Sequence, residues 1–150
     1  MMFTVKSFGE LSKAERVRLR ELTIDHDSMM RSQLDTPSEH GALVAIFYRL
    51  GETIVGWASL ERRASGHAWL NVYVDRAYRG RGIANALVGR AVRVAQERFG
   101  RTIITAITND EAGHALYHKA GFNRLREWIF DTARLEVHVG ASRRYRSQTA

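Results

Sequence analysis

The sequence predicts an α/β fold (α+β, mixed sheet) in which a central β-sheet carries helices on its faces. Strand-like and helix-like patterns alternate along the second half of the chain, as they do in sheets covered by helices. The 150 residues are 45% hydrophobic and 26% charged, which is the composition of a folded globular domain rather than a disordered chain. No linker, repeat or charge block divides the chain. We therefore expect one domain over residues 1–140, followed by a basic, flexible tail at 141–150.

The first half of the chain predicts a capped helix and a β-hairpin. A capping box at Ser12–Glu15 predicts that a helix runs from Ser12 to Ile24. The segment 25–34 mixes charged and apolar residues and is expected to form a second short helix before the sole proline. The β-rich runs Ala42–Tyr48 and Thr53–Leu60 flank a turn that contains glycine, so they predict a hairpin.

The second half predicts a long amphipathic helix between strands. Apolar residues recur at three- and four-residue steps over Gly82–Phe99, and Gly100 follows as the expected end of the helix. A second, shorter helix is predicted at Asp110–Ala120. Strands are predicted at Ala68–Val74, Thr102–Ile107, Leu125–Phe130 and Arg134–Val139. Such an order favours a sheet with helices on both faces.

Charge and cysteine usage narrow the class of protein. The net charge of +7 is concentrated in residues 76–150, which hold 14 Lys and Arg against 6 Asp and Glu. Such a half attracts an anion: nucleic acid, a membrane surface or a phosphorylated small molecule. The absence of Cys excludes disulfides, thiolate zinc sites and cysteine nucleophiles, and it suits a cytoplasmic location. No signal peptide or membrane-spanning run is recognised, so no membrane partner is expected.

A Gly-rich turn, Arg79–Ala84, joins the strand to the long helix. The first N–H groups of a helix have no intrahelical partner and lie at the positive end of the helix dipole. The small residues of this turn would let a diphosphate approach those N–H groups, and its two arginines add positive charge. The turn lacks the Gly-Lys-Ser/Thr of a Walker loop, and Asn85 stands where a dinucleotide-binding loop has its third glycine. The sequence thus favours an anion site of another kind over a plain solvated loop.

Two segments of the chain resemble motifs A and B of the GCN5-related N-acetyltransferase (GNAT) family, and they occur in the order that the family has. Arg79-x-x-Gly82-x-Ala84 is similar to the core of motif A, Arg/Gln-x-x-Gly-x-Gly/Ala. The segment Leu116–Phe122 resembles motif B, Leu-Tyr-x-Lys-x-Gly-Phe. The resemblance extends over about residues 3–139. It implies a GNAT-like acyl-CoA N-acyltransferase fold, whose sheet splays between two strands, and acetyl-CoA as the co-substrate.

The resemblance also implies where acetyl-CoA binds. Its pantetheine arm would pair with the main chain of Val72 and Val74, and its diphosphate would bind the loop amides. Motif B commonly has Asn seven residues before its tyrosine; here that position is Asp110, with Asn109 beside it, and both stay candidates. The implied cofactor-binding residues are Val72, Tyr73, Val74, Arg79, Gly80, Arg81, Gly82, Ile83, Ala84, Asn109, Asp110 and Tyr117.

Tyr117 matches the family tyrosine that acts as general acid. A departing CoA thiolate needs a proton, which a phenol near the sulfur can give. A core-packing tyrosine on an amphipathic helix is the alternative for this position. The resemblance also implies an oxyanion contact from the N–H of Val74, where the splay is expected to leave a donor unpaired.

The general base is the gap in the predicted mechanism. Many members carry a Glu on or beside the strand before the loop, but residues 68–74 contain no carboxylate. Glu61, at the end of the preceding strand, is the candidate base, acting through a water chain with His67, Asn71 and Tyr73. A surface Glu beside two arginines is an equal alternative.

The predicted function is acetyl transfer from acetyl-CoA to a primary amine of a small molecule or protein, by direct attack. Acidic residues in the expected acceptor region suit a cationic amine; they are Asp25, Asp27, Asp35 and Glu39. The alternative is a non-catalytic or nucleic-acid-binding module that uses the basic half, although no helix-turn-helix or zinc pattern accompanies it. The histidines lack metal-ligand spacing, so no metal is expected. Family members often dimerise through the last strands, which keeps a homodimer open.

Overall fold

The helices and strands follow the predicted order in a computed structural model that describes residues 2–23, 43–62, 67–100, 102–108, 111–130 and 133–141. The described helices are α1 (Lys13–Thr23), α2 (Ile83–Phe99) and α3 (Glu111–Lys119). The described strands are β1 (Met2–Ser7), β2 (Leu43–Leu50), β3 (Thr53–Arg62), β4 (Ala68–Val74), β5 (Ile103–Thr108), β6 (Asn123–Phe130) and β7 (Ala133–Ala141). The predicted α/β class is confirmed, with element boundaries within a few residues of the predicted ones.

The described strands form one seven-stranded sheet in the order β1-β2-β3-β4-β5-β7-β6. Neighbouring strands are antiparallel except β4 and β5, which are parallel, so the sheet is mixed as predicted. The predicted β2–β3 and β6–β7 hairpins are both present. Strand β7 returns between β5 and β6, a placement that the order of elements along the chain leaves open.

Each face of the sheet packs against a helix, so the predicted two-sided covering is confirmed. On one face, α2 buries an aliphatic stripe against β2, β3 and β4; its buried residues are Ile83, Leu87, Val88, Ala91, Val94 and Ala95. On the other face, α1 packs Leu19 and Leu22 against an aromatic group that includes Trp57 and Tyr73. Helix α3 contributes Tyr117 to the α2 face.

The N-terminal region contains a strand that the sequence analysis did not predict. β1 pairs with β2 along its whole length, from Met2 opposite Arg49 to Ser7 opposite Val44. The capping box of α1 is confirmed, because the N–H of Glu15 donates to the Ser12 Oγ at 3.1 Å and the Ser12 N–H donates to the Glu15 Oε1 at 2.8 Å.

Several predictions fall wholly or partly outside the described residues. The expected second helix at 25–34 lies outside them, as do the acidic residues of the acceptor region and the tail beyond residue 141. Ala141 itself ends β7 opposite Ile103, so the strand includes the first residue of the predicted tail. No helix in the described ranges is long and apolar enough to cross a membrane. Among the same residues, no group of three His, Asp or Glu side chains could hold a metal ion.

Candidate active site

Strand β4 is paired along its whole length on one edge and only in part on the other. β3 pairs with every residue from Ala68 to Val74. β5 pairs with β4 only from Ala68 to Leu70, opposite Ile104 to Ala106, and the two parallel strands then separate. The predicted splay is therefore confirmed, but it begins after Leu70 rather than after Val74. We call the unpaired edge of β4 beyond Leu70 the open edge.

The register assigns particular main-chain groups to the open edge. The N–H of Asp75 donates to the Val55 carbonyl at 2.8 Å, which fixes the phase of the β3–β4 ladder. Because successive residues of a strand point their N–H and C=O groups to opposite edges, Tyr73 bonds to β3 while Val72 and Val74 point away from it. The carbonyl of Val74 accepts a hydrogen bond from the Arg79 Nε at 3.2 Å. Val72 and Val74, both predicted to bind the cofactor, thus present N–H groups at the open edge.

Tyr73, which was also predicted to bind the cofactor, is oriented differently. Its main chain belongs to the β3 ladder, opposite Trp57. Its ring is 5% exposed and stacks on the Trp57 ring at a centroid distance of 5.3 Å. Tyr73 therefore joins β4 to β3, through its main chain and through its ring. Neither its main chain nor its ring faces the open edge.

The loop after β4 ends at an uncapped helix start. Gly80 and Gly82 both have φ of +79°, a conformation that other residues adopt only with strain. Gly82 is the N-cap of α2 and provides no side-chain acceptor, so the first N–H groups of the helix, beginning with Ile83 and Ala84, have no intrahelical or capping partner. The first helical hydrogen bond runs from the N–H of Ala86 to the Gly82 carbonyl at 3.1 Å.

The space around this loop suits an anion. A Cβ atom built on Gly80 or Gly82 would meet no heavy atom within 4 Å, so a ligand can approach the main chain from that side. Arg79 and Arg81 are exposed, and the Arg81 guanidinium lies over the Tyr78 ring at 5.1 Å from its centroid. Orphan N–H groups, the helix dipole and two cations thus converge at the end of the open edge, which fits the diphosphate of acetyl-CoA.

The loop is anchored by an ion pair that the sequence analysis missed. Arg18 of α1 donates from Nη2 to the Asp75 Oδ2 at 2.8 Å. Asp75 in turn accepts the Ala77 N–H at its Oδ1, at 2.9 Å, and so caps the short 3-10 turn Arg76–Tyr78. The Arg18 guanidinium and then the Ala77 N–H hold the pKa of Asp75 below its usual value. The two partners are 57 residues apart, and no local pattern marks them.

Tyr117 lies on α3, and the predicted motif Leu116–Phe122 contains the end of that helix. The Phe122 N–H donates to the Tyr117 carbonyl at 2.9 Å, and the two rings lie 5.5 Å apart. Tyr117 is 4% exposed and belongs to the apolar cluster that α2 covers. The predicted general acid is therefore on the α2 face of the sheet. Asn109 and Asp110 lie outside the described residues.

Glu61 lies on the opposite face of the sheet from Tyr117. It is half-buried and stands opposite Trp69, in the part of β4 that still pairs with β5. Its neighbour toward the open edge on the same face of β3 is Ser59, which pairs with Asn71. The Ser59 Oγ is fully buried and has no hydrogen-bond partner among the residues that the structure describes. Sequence reasoning missed Ser59, because a serine inside an apolar strand carries no signal of its own.

Comparison of the sequence with known proteins identifies a family. The sequence profile described as the Acetyltransferase (GNAT) family matches residues 10–122, which is more than half of the chain. No curated protein sequence matches the chain.

Similar solved structures are acetyltransferases with low sequence identity. Salmonella typhimurium yncA, determined with its cofactor acetyl-CoA, is 16% identical, has a TM-score of 0.73 and is matched over 96% of both chains. The ribosomal-protein-alanine N-acetyltransferase of Brucella melitensis is 18% identical at a TM-score of 0.73, over 91% of this chain and 98% of its own. The dodecameric spermidine N-acetyltransferase of Vibrio cholerae is 13% identical at a TM-score of 0.77, over 99% of this chain and 98% of its own. At these identities the likeness establishes the fold.

The open edge, the uncapped helix start and the family profile define a class of enzyme. The chain belongs to the GNAT acetyltransferase family. Membership makes it an acetyl-CoA-dependent N-acetyltransferase.

Proposed function

We propose that the protein transfers an acetyl group from acetyl-CoA to a primary amine by direct attack of the amine on the thioester. The observation that carries this proposal is the continuity of the open edge of β4 with the uncapped start of α2. An extended amide chain that ends in a diphosphate matches that arrangement, because strand edges pair with amides and helix starts bind anions.

The donor would be held by main-chain groups. Val72 and Val74 would pair with the amides of the pantetheine arm, and the amides from Gly80 to Ala84 would bind the diphosphate. The N–H of Val74, at the end of the open edge, would also stabilise the negative charge that develops on the thioester oxygen during attack.

Tyr117 would protonate the sulfur of the departing CoA. Its membership of the same buried cluster as Leu70, where the open edge begins, supports this role, because a phenol near the sulfur can give it a proton. The attacking nitrogen forms a bond to the acetyl carbon, the carbon–sulfur bond breaks, and the sulfur takes the tyrosine proton. The nitrogen then loses its second proton, which leaves a neutral amide and returns the tyrosine phenolate to the phenol.

The acceptor amine must lose a proton before it attacks, since an alkyl ammonium has a pKa of about 10. Glu61 would accept that proton through a short relay. It lies on the same face of β3 as Ser59, two residues further from the open edge, so other groups must carry the proton to it. Ser59 and Asn71 stand between Glu61 and the open edge, and the Ser59 Oγ, which has no partner among the described residues, would join the relay through a water molecule. Two other residues were predicted to belong to the water chain: His67 is half-buried just before β4 begins, and Tyr73 is buried on the same face of β4 as Asn71.

A primary amine is the acceptor class that the similar structures favour. Two of them are named as N-acetyltransferases of spermidine and of the alanine of a ribosomal protein, and both of these acceptors offer an amino group. The cytoplasmic location and a homodimer through the last strands stay predictions.

The nucleic-acid alternative receives less support. Two arginines of α2 contact the chain itself: the Arg90 guanidinium lies 4.6 Å from the centroid of the Phe3 ring, and Arg98 donates to the Ser7 Oγ at 3.5 Å. A phosphate track along α2 would require these side chains to leave their contacts.

The test is a panel of polyamines, aminoglycosides and peptides with acetyl-CoA, in which release of free thiol is measured. Turnover with any amine would establish the reaction and name the substrate class. Tyr117→Phe is expected to lower kcat by about 100-fold or more with unchanged acetyl-CoA affinity, because only proton donation is lost. Tyr48→Phe is the matched control, since Tyr48 is buried in the same apolar cluster but lies on β2, with β3 between it and β4. Equal turnover by both variants would remove the general-acid role.

A further inference from the structure

The guanidinium of Arg18 joins three parts of the fold. Its Nη2 donates to the Asp75 Oδ2 at 2.8 Å, and its Nε donates to the Ile54 carbonyl of β3 at 2.9 Å. Its Nη1 donates to the Glu21 Oε2 on the same helix at 3.1 Å. The side chain is only 27% exposed, and with three nitrogens engaged it is held in one orientation.

Asp75 is the residue from which the diphosphate loop departs. Its N–H donates to the Val55 carbonyl at 2.8 Å, which extends the β3–β4 ladder by one residue. Its carbonyl accepts the Tyr78 N–H at 2.8 Å, and its Oδ1 accepts the Ala77 N–H at 2.9 Å. Main chain and side chain of Asp75 thus fix the direction of the turn that leads to Gly80 and Gly82.

The loop beyond this turn receives little support from packing at its glycines. No heavy atom lies within 4 Å of a Cβ built on Gly80 or Gly82, and glycine is the residue with the most backbone freedom to lose. A loop that must be ordered by its ligand binds that ligand more weakly than a loop that is already ordered. The anchor at Asp75 therefore decides how much of this ordering is complete before the ligand arrives.

Charge gives Arg18 a second effect on the same loop. The Asp75 carboxylate stands at the start of a loop that is proposed to bind a diphosphate, and it would repel that anion if it were unpaired. Pairing with Arg18 at 2.8 Å neutralises the carboxylate while leaving its Oδ1 free to hold the turn.

We propose that Arg18 is a positioning residue for acetyl-CoA: from α1, through Asp75, it sets the conformation of the loop Arg79–Gly82 and lowers the cost of binding the diphosphate. This inference rests on the proposed function, because it assumes that the loop binds the diphosphate of the donor. It assigns to α1 a part in donor binding although α1 contributes no residue to the loop.

The test compares Arg18→Met with Arg93→Met, a matched control because Arg93 is an exposed arginine on α2. Calorimetry with acetyl-CoA is expected to give a Kd that is roughly tenfold higher for Arg18→Met and unchanged for the control. With S-acetylpantetheine, a donor that lacks the diphosphate, kcat/KM is expected to be the same for both variants. A residue needed only for folding would lower both donors' activity together.

Hydrogen exchange without ligand gives an independent measurement. The amides of Ala77 and Tyr78 are expected to exchange faster in Arg18→Met than in the wild type, while the amides within α2 keep their protection. Should Arg18→Met fail to fold, Asp75→Asn weakens the link to Arg18 but keeps an acceptor for the Ala77 N–H and carries no charge that repels the anion, so a rise in Kd clearly smaller than tenfold is expected.

The outcomes separate the two proposals. A wild type that gives no heat with acetyl-CoA overturns the proposed function, and unchanged exchange at Ala77 and Tyr78 in Arg18→Met overturns the positioning role whatever the ligand. A wild type that binds acetyl-CoA, together with an Arg18→Met variant of equal affinity, overturns the inference and leaves the proposed function standing.

Discussion

The two edges of β4 differ in what completes their hydrogen bonds. Toward β3, every residue from Ala68 to Val74 lies opposite a β3 residue, alternate residues bond to it, and the Asp75 N–H adds one more bond. Toward β5, pairing ends at Leu70. The same short strand is thus a central strand on one side and an edge strand on the other.

This difference separates stability from binding within one element. The β3 edge fixes the position of Val72 and Val74 without using the N–H groups that point the other way. An unpaired main-chain donor is ready to bond with an extended ligand, as edge strands do with peptides. A strand anchored on one side can therefore present the other side in a fixed geometry.

Proline substitutions at adjacent residues would distinguish the two edges most strongly. Asn71→Pro removes an N–H that belongs to the β3 ladder and is expected to lower the free energy of unfolding by about 3 kcal/mol or more. Val72→Pro removes an N–H at the open edge, so it is expected to cost less than half of that while weakening acetyl-CoA binding by roughly tenfold. Urea unfolding and calorimetry measure both quantities. Equal losses of stability would mean that the Val72 N–H is bonded within the fold.

Gly56→Ala would perturb the paired edge where α2 lies closest to it. A Cβ at Gly56 would lie 3.1 Å from the Tyr73 carbonyl, 3.1 Å from the Leu87 Cδ1 and 3.2 Å from the Ile83 Cγ2. We expect a loss of about 2 kcal/mol in the free energy of unfolding, because the backbone atom leaves no room to relax.

The same substitution is expected to weaken acetyl-CoA binding, since it would push the start of α2 away from the sheet. Gly89→Ala is the control, because nothing lies within 4 Å of a Cβ there. It is expected to stabilise the protein by about 0.5–1 kcal/mol through helix propensity. A Gly56→Ala variant with unchanged stability would show that the helix start adjusts freely.

The smallest expected effect concerns pH. Arg18 and the Ala77 N–H lower the pKa of Asp75 in the folded protein, so the unfolded chain binds a proton at this residue more readily than the folded chain does. The stability that Asp75 contributes is complete above its unfolded pKa of about 3.9 and is lost as the pH falls below it. The difference in unfolding free energy between wild type and Asp75→Asn should therefore be constant near neutral pH and narrow in acid. A difference that stays constant down to the acid transition would contradict this linkage.

Local patterns in the sequence predicted the elements well. The Ser12–Glu15 capping box placed the start of α1, and the apolar stripe with its flanking glycines placed α2 within one residue. These signals succeed because capping and amphipathicity depend on residues a few positions apart. The motif around Tyr117 predicted the close of α3 for the same reason.

Contacts between distant residues were beyond such patterns. β1 is a six-residue strand at the sheet edge without a fully buried residue, so its alternation is weak. The start of the splay depends on where β5 leaves β4, and the Arg18–Asp75 pair depends on how α1 lies over β3. Ser59 stands out only because its hydroxyl is buried with no partner in the part of the chain that the structure describes. Each of these is a property of the assembled sheet rather than of any segment.

The groups that Val72 and Val74 turn away from β3 are peptide amides, which every residue type except proline presents equally. Alanine scanning along β4 would leave this chemistry intact and would report only on packing. The open edge is sensitive instead to a change in the backbone. An ester linkage in place of the amide at Val72 or Val74 would remove the N–H that it presents.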